Sequence, residues 1–353
     1  MIHKSFLSVI IFSSLTFSEG YWVNYGWELF DHVTDARTAA LGNATTAYAN
    51  QSPASTLANP IFSSIPVHRV SLTHQSRFAG LFSSELIGTD TPFRDEKSIF
   101  WNLLYEGIGQ IPDTRNMLLD WGNDGQFGTN DPGEGNGILD EGERLDSDQI
   151  RYFNQRQIGI HSSFVQNIAN VPLGIALKIL SYYLDDHFAL GIGIDFGVLK
   201  QVNIFNIGLV VKNLPASGLI WDNGTVEGTA PTVSIGAHAP YKFSKIPLEL
   251  HTLFNMDLSM SKRHLDSQLR LGHISMDTAL GMEMIYKRRL MVRMGRNYLG
   301  HATGGLGMSW KIISIDYAFQ NSNTGTGMGS HHLVSVNILL DWLRSALILD
   351  HES

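Results

Sequence analysis

The chain has 353 residues, of which 16% are charged, and it contains no cysteine. Without cysteine there are no disulfides and no thiolate metal sites, and the charged fraction is low against the roughly 25% of soluble domains. The net charge is −8, so the chain offers no overall basic surface of the kind that nucleic-acid binding requires.

Residues 1–18 have the pattern of a secretory signal peptide. His3 and Lys4 precede an apolar run from Phe6 to Phe17, which ends beside Ser18. The run is too short for a transmembrane helix, which needs about 20 apolar residues. We therefore expect the chain to be exported and exclude residues 1–18 from the fold.

The next segment, 19–66, predicts short helical pieces. Asp35 can accept hydrogen bonds at the start of a helix that runs to Leu41, and Gly42 can end it. Pro53 and Pro60 then predict turns. We expect this segment to lie inside or beneath the strands that follow it, as a plug.

From about residue 155 the sequence alternates between apolar and polar residues in short segments bounded by turn residues, which is typical of strands. Weaker strand candidates precede it at Arg69–Ser76, Phe78–Leu86 and Lys97–Gly107. The segment Leu248–Leu258 is long enough to cross a membrane, since a tilted transmembrane strand needs about 9 to 11 residues. The count comes to about fourteen strands, an even number as in outer-membrane barrels.

These patterns predict an all-β fold, a transmembrane antiparallel β-barrel of about fourteen strands over residues 67–343. A short helical plug precedes it, an acidic glycine-rich insert at 113–150 interrupts it, and a C-terminal tail, 344–353, follows. The insert is expected outside the cell, because barrel turns are short on the periplasmic side. A closed barrel in lipid pairs every backbone amide. A soluble β-sandwich is the alternative for the same strands.

Two residue types support the barrel. Glycines lie within the strand candidates, where they usually mark close approach by another backbone or a plug: Gly191, Gly193, Gly197, Gly272, Gly281, Gly295, Gly305 and Gly307. Aromatic residues lie near segment ends, like the aromatic belt at a membrane interface: Trp101, Tyr182, Tyr183, Tyr241, Tyr286, Tyr298, Trp310 and Trp342. Charges expected to face the lumen form a polar network there: Lys212, Glu283, Arg293 and Asp316.

Several stretches resemble the PorV/PorQ family of outer-membrane barrels, which is related to long-chain fatty-acid transporter barrels. The amino-terminal run 36–44 (ARTAALGNA) is followed by Ala-Tyr-Ala at 47–49, Pro-Ala-Ser at 53–55 and Asn-Pro at 59–60. Later similar stretches are 208–214 with 221–224, 280–283, and 306–308 leading to 316–319. The chain departs from the family at Ile61 and in its last ten residues, 344–353.

The resemblance implies an outer-membrane location, a barrel in contact with outer-membrane lipid, and a function in type IX secretion or surface assembly through secretion-machinery or surface proteins. The alternative, implied by the related transporters, is passive passage of hydrophobic solutes. Pull-down of envelope proteins only in the presence of calcium would favour the first, and flux in liposomes that depends on the plug would favour the second.

The acidic insert carries the net charge of the chain. Between Asp120 and Asp148 there are nine acidic residues and one basic residue, Arg144. Residues 120–131 and 132–143 form two successive twelve-residue units that resemble the calcium loops of EF-hand and dockerin repeats. Without a cation, so many carboxylates repel one another, and a disordered surface loop is the alternative.

We predict bound Ca²⁺ because calcium takes six to eight oxygen ligands from carboxylates and carbonyls on a flexible glycine-rich turn. In the first unit the candidate ligands are Asp120, Asp124, Gln126 (through its carbonyl) and Asp131. In the second unit they are Glu134, Asn136, Ile138 (through its carbonyl), Asp140 and Glu143. Both units deviate from the pattern, with Gly122 and Gly128 at ligand positions and Pro132 at the first position of the second unit.

No sequence motif of a zinc protease, a P-loop or a serine lipase occurs. Glycine-rich runs at 191–193 and 325–329 lie in strand or hairpin context with no helix after them, which disfavours dinucleotide binding. We predict that the protein is not an enzyme.

Overall fold

The computed structural model describes residues 27–93, 97–214, 217–259, 267–321 and 329–349. The predicted signal peptide lies outside these residues. Within them, no helix is long and apolar enough to span a bilayer.

Fourteen strands form one antiparallel sheet in the described part of the chain. They are β1 Arg69–Arg77, β2 Phe82–Pro92, β3 Ser98–Asp113, β4 Arg151–Ile168, β5 Val171–Leu184, β6 His187–Val202, β7 Phe205–Lys212 with Ser217–Trp221, β8 Val226–Thr229 with Thr232–Lys242, β9 Leu248–Ser259, β10 Ile274–Tyr286, β11 Leu290–Arg296, β12 Ala302–Ser309, β13 Ile313–Gln320 and β14 His331–Leu339. Each pairs with its neighbour in sequence. The prediction of about fourteen strands is confirmed.

The sheet closes on itself. β1 pairs with β14 from Arg69 opposite Leu339 to Ser76 opposite His332, and it pairs with β2 on its other side. Closure leaves no free edge, so no strand edge of unpaired backbone groups is presented to lipid.

Side chains alternate across the wall in the sense that lipid requires. On β1, Ser71, Thr73 and Gln75 are buried, while Leu72 between them is 43% exposed on the outer face. The outer surface is covered by apolar side chains such as Ile192 and Leu306, which are 59% and 60% exposed. A soluble sandwich would bury this face, so the outward apolar surface excludes that alternative.

The plug consists of short helical pieces. They are α1 Leu29–His32, α2 Ala36–Ala40 and two 3₁₀ turns, Pro53–Leu57 and Pro60–Ser64. The predicted cap of α2 is confirmed, because the Asp35 carboxylate accepts a hydrogen bond from the Thr38 amide at 2.7 Å. Gly42 then adopts a left-handed φ of +66°. An added Cβ at Gly42 would meet the carbonyl oxygen of Arg296 at 2.6 Å, so the turn needs glycine.

Two elements differ from the sequence prediction. The second strand begins at Phe82 and not at Phe78, because Phe78–Gly80 form a 3₁₀ turn in which Phe78 and Ala79 have left-handed φ values. The third strand continues to Asp113 past a bulge between Ile108 and Ile111.

The two ends of the barrel differ. At one end, which we call the turn end, the connections have two to five residues, as at Ala169–Asn170 and Lys287–Arg289. At the other, the loop end, they include the acidic insert between β3 and β4. Helix α3, Leu340–Leu349, continues from β14 at the turn end, where the Leu340 amide bonds to the His68 carbonyl at 2.9 Å.

The wall is also uneven in height. β3 to β6 have 16, 18, 14 and 16 residues, whereas β11, β12 and β13 have 7, 8 and 8. The acidic insert rises from the tall side.

Candidate functional site

The lumen is occupied by the plug, and lumen-facing glycines admit it. An added Cβ at Gly174 would overlap the Ile61 amide nitrogen, and one at Gly208 would overlap the Thr46 carbonyl oxygen. Of the glycines singled out from the sequence, the prediction of close approach is confirmed for those that meet the plug: Gly191, Gly193, Gly197, Gly281, Gly295 and Gly305.

The other two glycines singled out from the sequence, Gly307 and Gly272, do not meet the plug. Gly307 makes room for the side chains of Asp316 and Arg293. Gly272 lies in the turn before β10 with open space around it and a φ of +61°, so the plug prediction was wrong there.

A buried charge cluster, which we call the Glu283 cluster, ties the plug to the wall. Glu283 lies on β10 and accepts hydrogen bonds from plug residues Arg37 and Tyr48, each at 2.6 Å. It also accepts one from Arg293 on β11 at 2.6 Å, and Arg293 donates to Asp316 on β13 at 2.6 Å. Two cations and two carboxylates balance in charge, and each wall carboxylate is stabilised by charge-assisted bonds.

The alternating pattern identified the wall members of this cluster, Glu283, Arg293 and Asp316, as lumen-facing, and the structure places them there. The plug members Arg37 and Tyr48 were missed as pairing partners. Both lie in the run that resembles PorV/PorQ sequences, but an arginine in a short helix carries no local signal that a carboxylate 246 residues later will pair with it.

Other polar contacts hold the plug and wall together. Asp31 of α1 accepts from Lys212 at 2.8 Å, so Lys212 pairs with the plug and not with the other predicted lumen charges. Arg77 of β1 pairs with Glu106 of β3 and contacts the His32 ring at 3.2 Å.

A second buried ion pair lies where the wall is interrupted. Lys178 pairs with Asp195 at 2.8 Å and donates to Asn213 at 2.6 Å. Asn213 follows the first half of β7 with a left-handed φ of +58°. The Lys178 ammonium also lies 5.6 Å from the Trp27 ring centroid, so this pair too contacts the plug.

Beside the Glu283 cluster, two wall histidines face Tyr48. His238 and His251 bond at 2.9 Å, and their rings lie 4.4 and 5.1 Å from the Tyr48 ring. These imidazoles were not identified from the sequence. The adjacent histidines at the start of β14 point to opposite faces of the wall: His331 contacts Phe78, while His332 bonds to the Tyr317 hydroxyl on the outer face.

Five of the eight aromatic residues singled out from the sequence have the outward exposure that an interfacial belt requires. Trp101, Tyr183, Tyr241, Tyr286 and Trp310 are exposed on the outer surface. Tyr182 was assigned wrongly, because it packs inside against Trp221 at 5.3 Å between ring centroids.

In the acidic insert, the two units bond across to each other. Asp120 accepts from the amides of Gly135 and Gly137 in the second unit at 2.8 and 2.7 Å. Glu134 of the second unit accepts from Gly128 and Asn130 in the first. The amide of Gly137, and then that of Gly135, lower the pKa of Asp120.

The remaining predicted ligands also bond within the insert. Glu143 accepts from the Gly122 and Asp140 amides, Asp131 accepts from the Asp124 amide, and Asp124 accepts from the Gln126 amide. Asp140 accepts from the Asn136 side chain, and the Asn136 oxygen accepts from the Ile138 amide. All nine predicted ligands therefore take part in hydrogen bonds within the insert.

The chemistry of these donors suits calcium, which prefers carboxylate and carbonyl oxygens. In the described residues, however, no three His, Asp or Glu side chains are gathered closely enough to hold a metal ion. A cation would have to replace the backbone amides that the carboxylates now bind. Calcium binding stays a prediction.

No protein-family model matches the chain, and no curated protein matches its sequence. Solved structures that are similar include Acinetobacter baumannii Omp33, an outer membrane protein, at 6% identity and a TM-score of 0.37 over 77% of this chain and 96% of that chain. The P. putida toluene transporter TodX is 11% identical with a TM-score of 0.43, and the CymD monoaromatic hydrocarbon channel is 11% identical with 0.44, each over 86% of this chain and 96% of that chain.

The closed sheet, its apolar exterior and its filled lumen define a transmembrane β-barrel of the outer-membrane class. This protein is such a barrel, with its own amino-terminal segment as the plug. The barrel fold indicates the outer membrane, where the wall contacts lipid.

Proposed function

We propose that the protein is a closed outer-membrane barrel of the PorV/PorQ type that binds a partner protein at the cell surface, in surface assembly or protein secretion. The observation that carries this proposal is that the lumen is filled while the acidic insert presents apolar side chains to solvent. Phe127 is 81% exposed, Ile138 63% and Leu139 54%.

Such side chains are costly to expose on a loop that is otherwise acidic and glycine-rich. The crossed bonds between its two units hold them on a defined scaffold, which reduces the ordering cost of binding. Large apolar side chains buried at the centre of an interface commonly supply most of its affinity. The resemblance to PorV/PorQ proteins adds secretion-machinery or exported proteins as the class of partner.

A second function, passive passage of hydrophobic solutes through the wall, is favoured by one other observation. Both β7 and β8 are interrupted at neighbouring positions, after Lys212 and after Thr229. In place of continuous pairing, the Leu214 amide bonds to the Ile194 carbonyl at 2.9 Å. A break in adjacent strands is a place where a solute can leave sideways into lipid.

Crosslinking in intact cells tests the first proposal. A photoreactive residue at Phe127 is compared with one at Leu271, which is 77% exposed in the hairpin before β10 at the same end of the barrel. We expect Phe127, and not Leu271, to crosslink one exported protein, and Phe127→Ser with Ile138→Ser to lower the surface amount of that protein. Identical crosslinks at both positions, or none at Phe127, would contradict it.

Flux in liposomes separates the two functions. Liposomes that contain the reconstituted barrel are loaded with an apolar fluorescent solute. The barrel is prepared with and without a crosslink that fixes the plug to the wall. Equal retention in both samples is expected for a closed partner-binding barrel. Flux that the crosslink abolishes would favour transport.

A further inference from the structure

The outer wall carries a half-open pocket at the turn end, between β10, β11 and β12. Its volume is about 220 Å³, and its apolar lining comes from Tyr286, Leu290, Met308 and Trp310. Tyr286 lies opposite Leu290 across β10 and β11, and Leu290 lies opposite Met308 across β11 and β12. These side chains are 40% to 49% exposed on the face that contacts lipid.

Two cations border the same pocket. Lys287 and Arg289 lie in the connection between β10 and β11, are exposed, and line its mouth. Neither has an acidic partner within the described ranges. The Lys287 ammonium lies 5.2 Å from the Tyr286 ring centroid, which positions one charge over the aromatic edge of the pocket.

The pocket is rigidly built. The Lys287 amide bonds to the Pro247 carbonyl at 2.8 Å, and the Ser309 amide bonds to the Arg289 carbonyl at 2.8 Å, so three neighbouring connections are joined. Lys287 and Arg288 both have left-handed φ values, +50° and +54°, which residues with a side chain rarely adopt. A tight turn of this kind normally uses Asn-Gly, which adopts these φ values easily. Lys287 and Arg288 therefore occupy the turn at a cost in backbone strain.

The surroundings are basic. Four more cations lie nearby: Lys242 at the end of β8, Lys245 and Lys311 in the neighbouring connections, and Arg288 in the same connection. The one acidic side chain of these connections and their flanking strand ends is Glu249. Glu249 is shared between Lys242 at 3.6 Å and Arg288 at 3.7 Å, which leaves Lys287 and Arg289 unneutralised. This charge is opposite in sign to that of the acidic insert at the other end of the barrel.

We propose that this pocket binds one anionic phospholipid of the inner leaflet, with its phosphate between Lys287 and Arg289 and the start of an acyl chain against Leu290 and Met308. Short barrel turns lie on the periplasmic side, so the turn end meets the phospholipid headgroups. Interfacial tryptophan and tyrosine lie at headgroup depth, and basic pockets at that depth bind anionic headgroups. The proposal depends on the barrel lying in lipid and not on its function.

Lipid binding to the full chain in a neutral detergent tests this. Native mass spectrometry counts bound phosphatidylglycerol and phosphatidylcholine with identical acyl chains, for the wild type, Lys287→Gln with Arg289→Gln, and a control pair, Lys97→Gln with Lys200→Gln. The control residues are also exposed and lie at the turn end, but elsewhere around the barrel.

We expect one phosphatidylglycerol to bind in preference to phosphatidylcholine. The Lys287/Arg289 variant should weaken it about thirtyfold, which is roughly 2 kcal/mol at about 1 kcal/mol for each cation. The control pair should keep the wild-type affinity, and inorganic phosphate at the same concentration should not displace the lipid. Equal binding of both lipids, equal losses in the two variants, or displacement by phosphate would overturn the proposal.

Discussion

The Glu283 cluster predicts that one substitution releases the plug. Glu283→Gln keeps the shape of the side chain but removes the charge that Arg37 and Arg293 share. Asp316 then remains as the single carboxylate of the cluster against two buried cations. The side chain of Glu283 is fully buried, so water does not screen the imbalance.

The expected effect is large. Breaking a buried ion pair from one side costs about 3 to 5 kcal/mol. Because the plug contributes Arg37 and Tyr48 while the wall contributes the rest, the loss falls on plug docking. At about 1.36 kcal/mol per factor of ten, a loss of 3 kcal/mol raises the population of undocked plug roughly 150-fold.

Thiol labelling measures this population, since the chain has no native cysteine. Thr45 is a suitable reporter position: it is 3% exposed, and its hydroxyl has no hydrogen-bond partner among the described residues, so Thr45→Cys removes no bond. We expect a water-soluble maleimide to label Thr45→Cys about 150-fold faster when Glu283→Gln is also present, in proportion to the opening. The barrel itself should stay folded.

Asp113→Asn is the matched control. Asp113 pairs with Arg115 at 2.7 Å, but Arg115 is 75% exposed, so the pair is screened and its loss should leave labelling unchanged. If Glu283→Gln labelled no faster than Asp113→Asn, the cluster would not hold the plug, and our account of the lumen would be wrong.

Three further predictions follow from the plug and the insert. Gly174→Ala should destabilise plug docking by about 1 to 3 kcal/mol because its Cβ would strike the plug, whereas Gly218→Ala, which meets nothing within 4 Å, should not; urea titration of thiol labelling compares them. The pKa of Asp120 is lowered from 3.8, so its hydrogen bonds to Gly135 and Gly137 are intact at neutral pH. They are lost as the pH falls below 3.8 through the pKa of the folded state. Hydrogen exchange of the Gly137 amide should rise in that pH range, and Asp120→Asn should remove this pH dependence. Millimolar calcium should protect residues 120–143 from protease, and unchanged cleavage would remove the calcium prediction.

Much of the wall could be predicted because the two-residue alternation indicates both that a segment is a strand and which face of the sheet each side chain occupies. In Thr232–Ala239, alternate residues Ser234, Gly236 and His238 are buried and the apolar set faces outward, as the pattern predicts. The start of β2 was misplaced because Phe78 continues the apolar pattern while its backbone turns. Periodicity indicates on which face a side chain lies. It does not indicate a left-handed φ at a bulky residue, because tertiary contacts determine that backbone conformation.

The site was predicted only in part, for a related reason. The alternating pattern of the strands identifies the charged wall residues as lumen-facing. Their partners in the plug belong to no repeating sequence pattern that would identify them. Asp31, Arg37 and Tyr48 reach the wall through contacts more than 180 residues apart in sequence. The insert behaved differently: its repeat predicted two related units, and the structure joins them by crossed carboxylate and amide bonds.

The unequal wall has a consequence for the bilayer around the barrel. At roughly 3.3 Å per residue, the 18 residues of β4 reach about 59 Å along the strand, whereas the 7 residues of β11 reach about 23 Å. Once strand tilt is included, the short flank, β11 to β13, is lower than the thickness of an ordinary hydrocarbon layer. The bilayer must therefore become thinner beside this flank, or the barrel must tilt. In either case the tall flank, β3 to β6, extends beyond the hydrocarbon layer, and the acidic insert lies at the loop end of that flank.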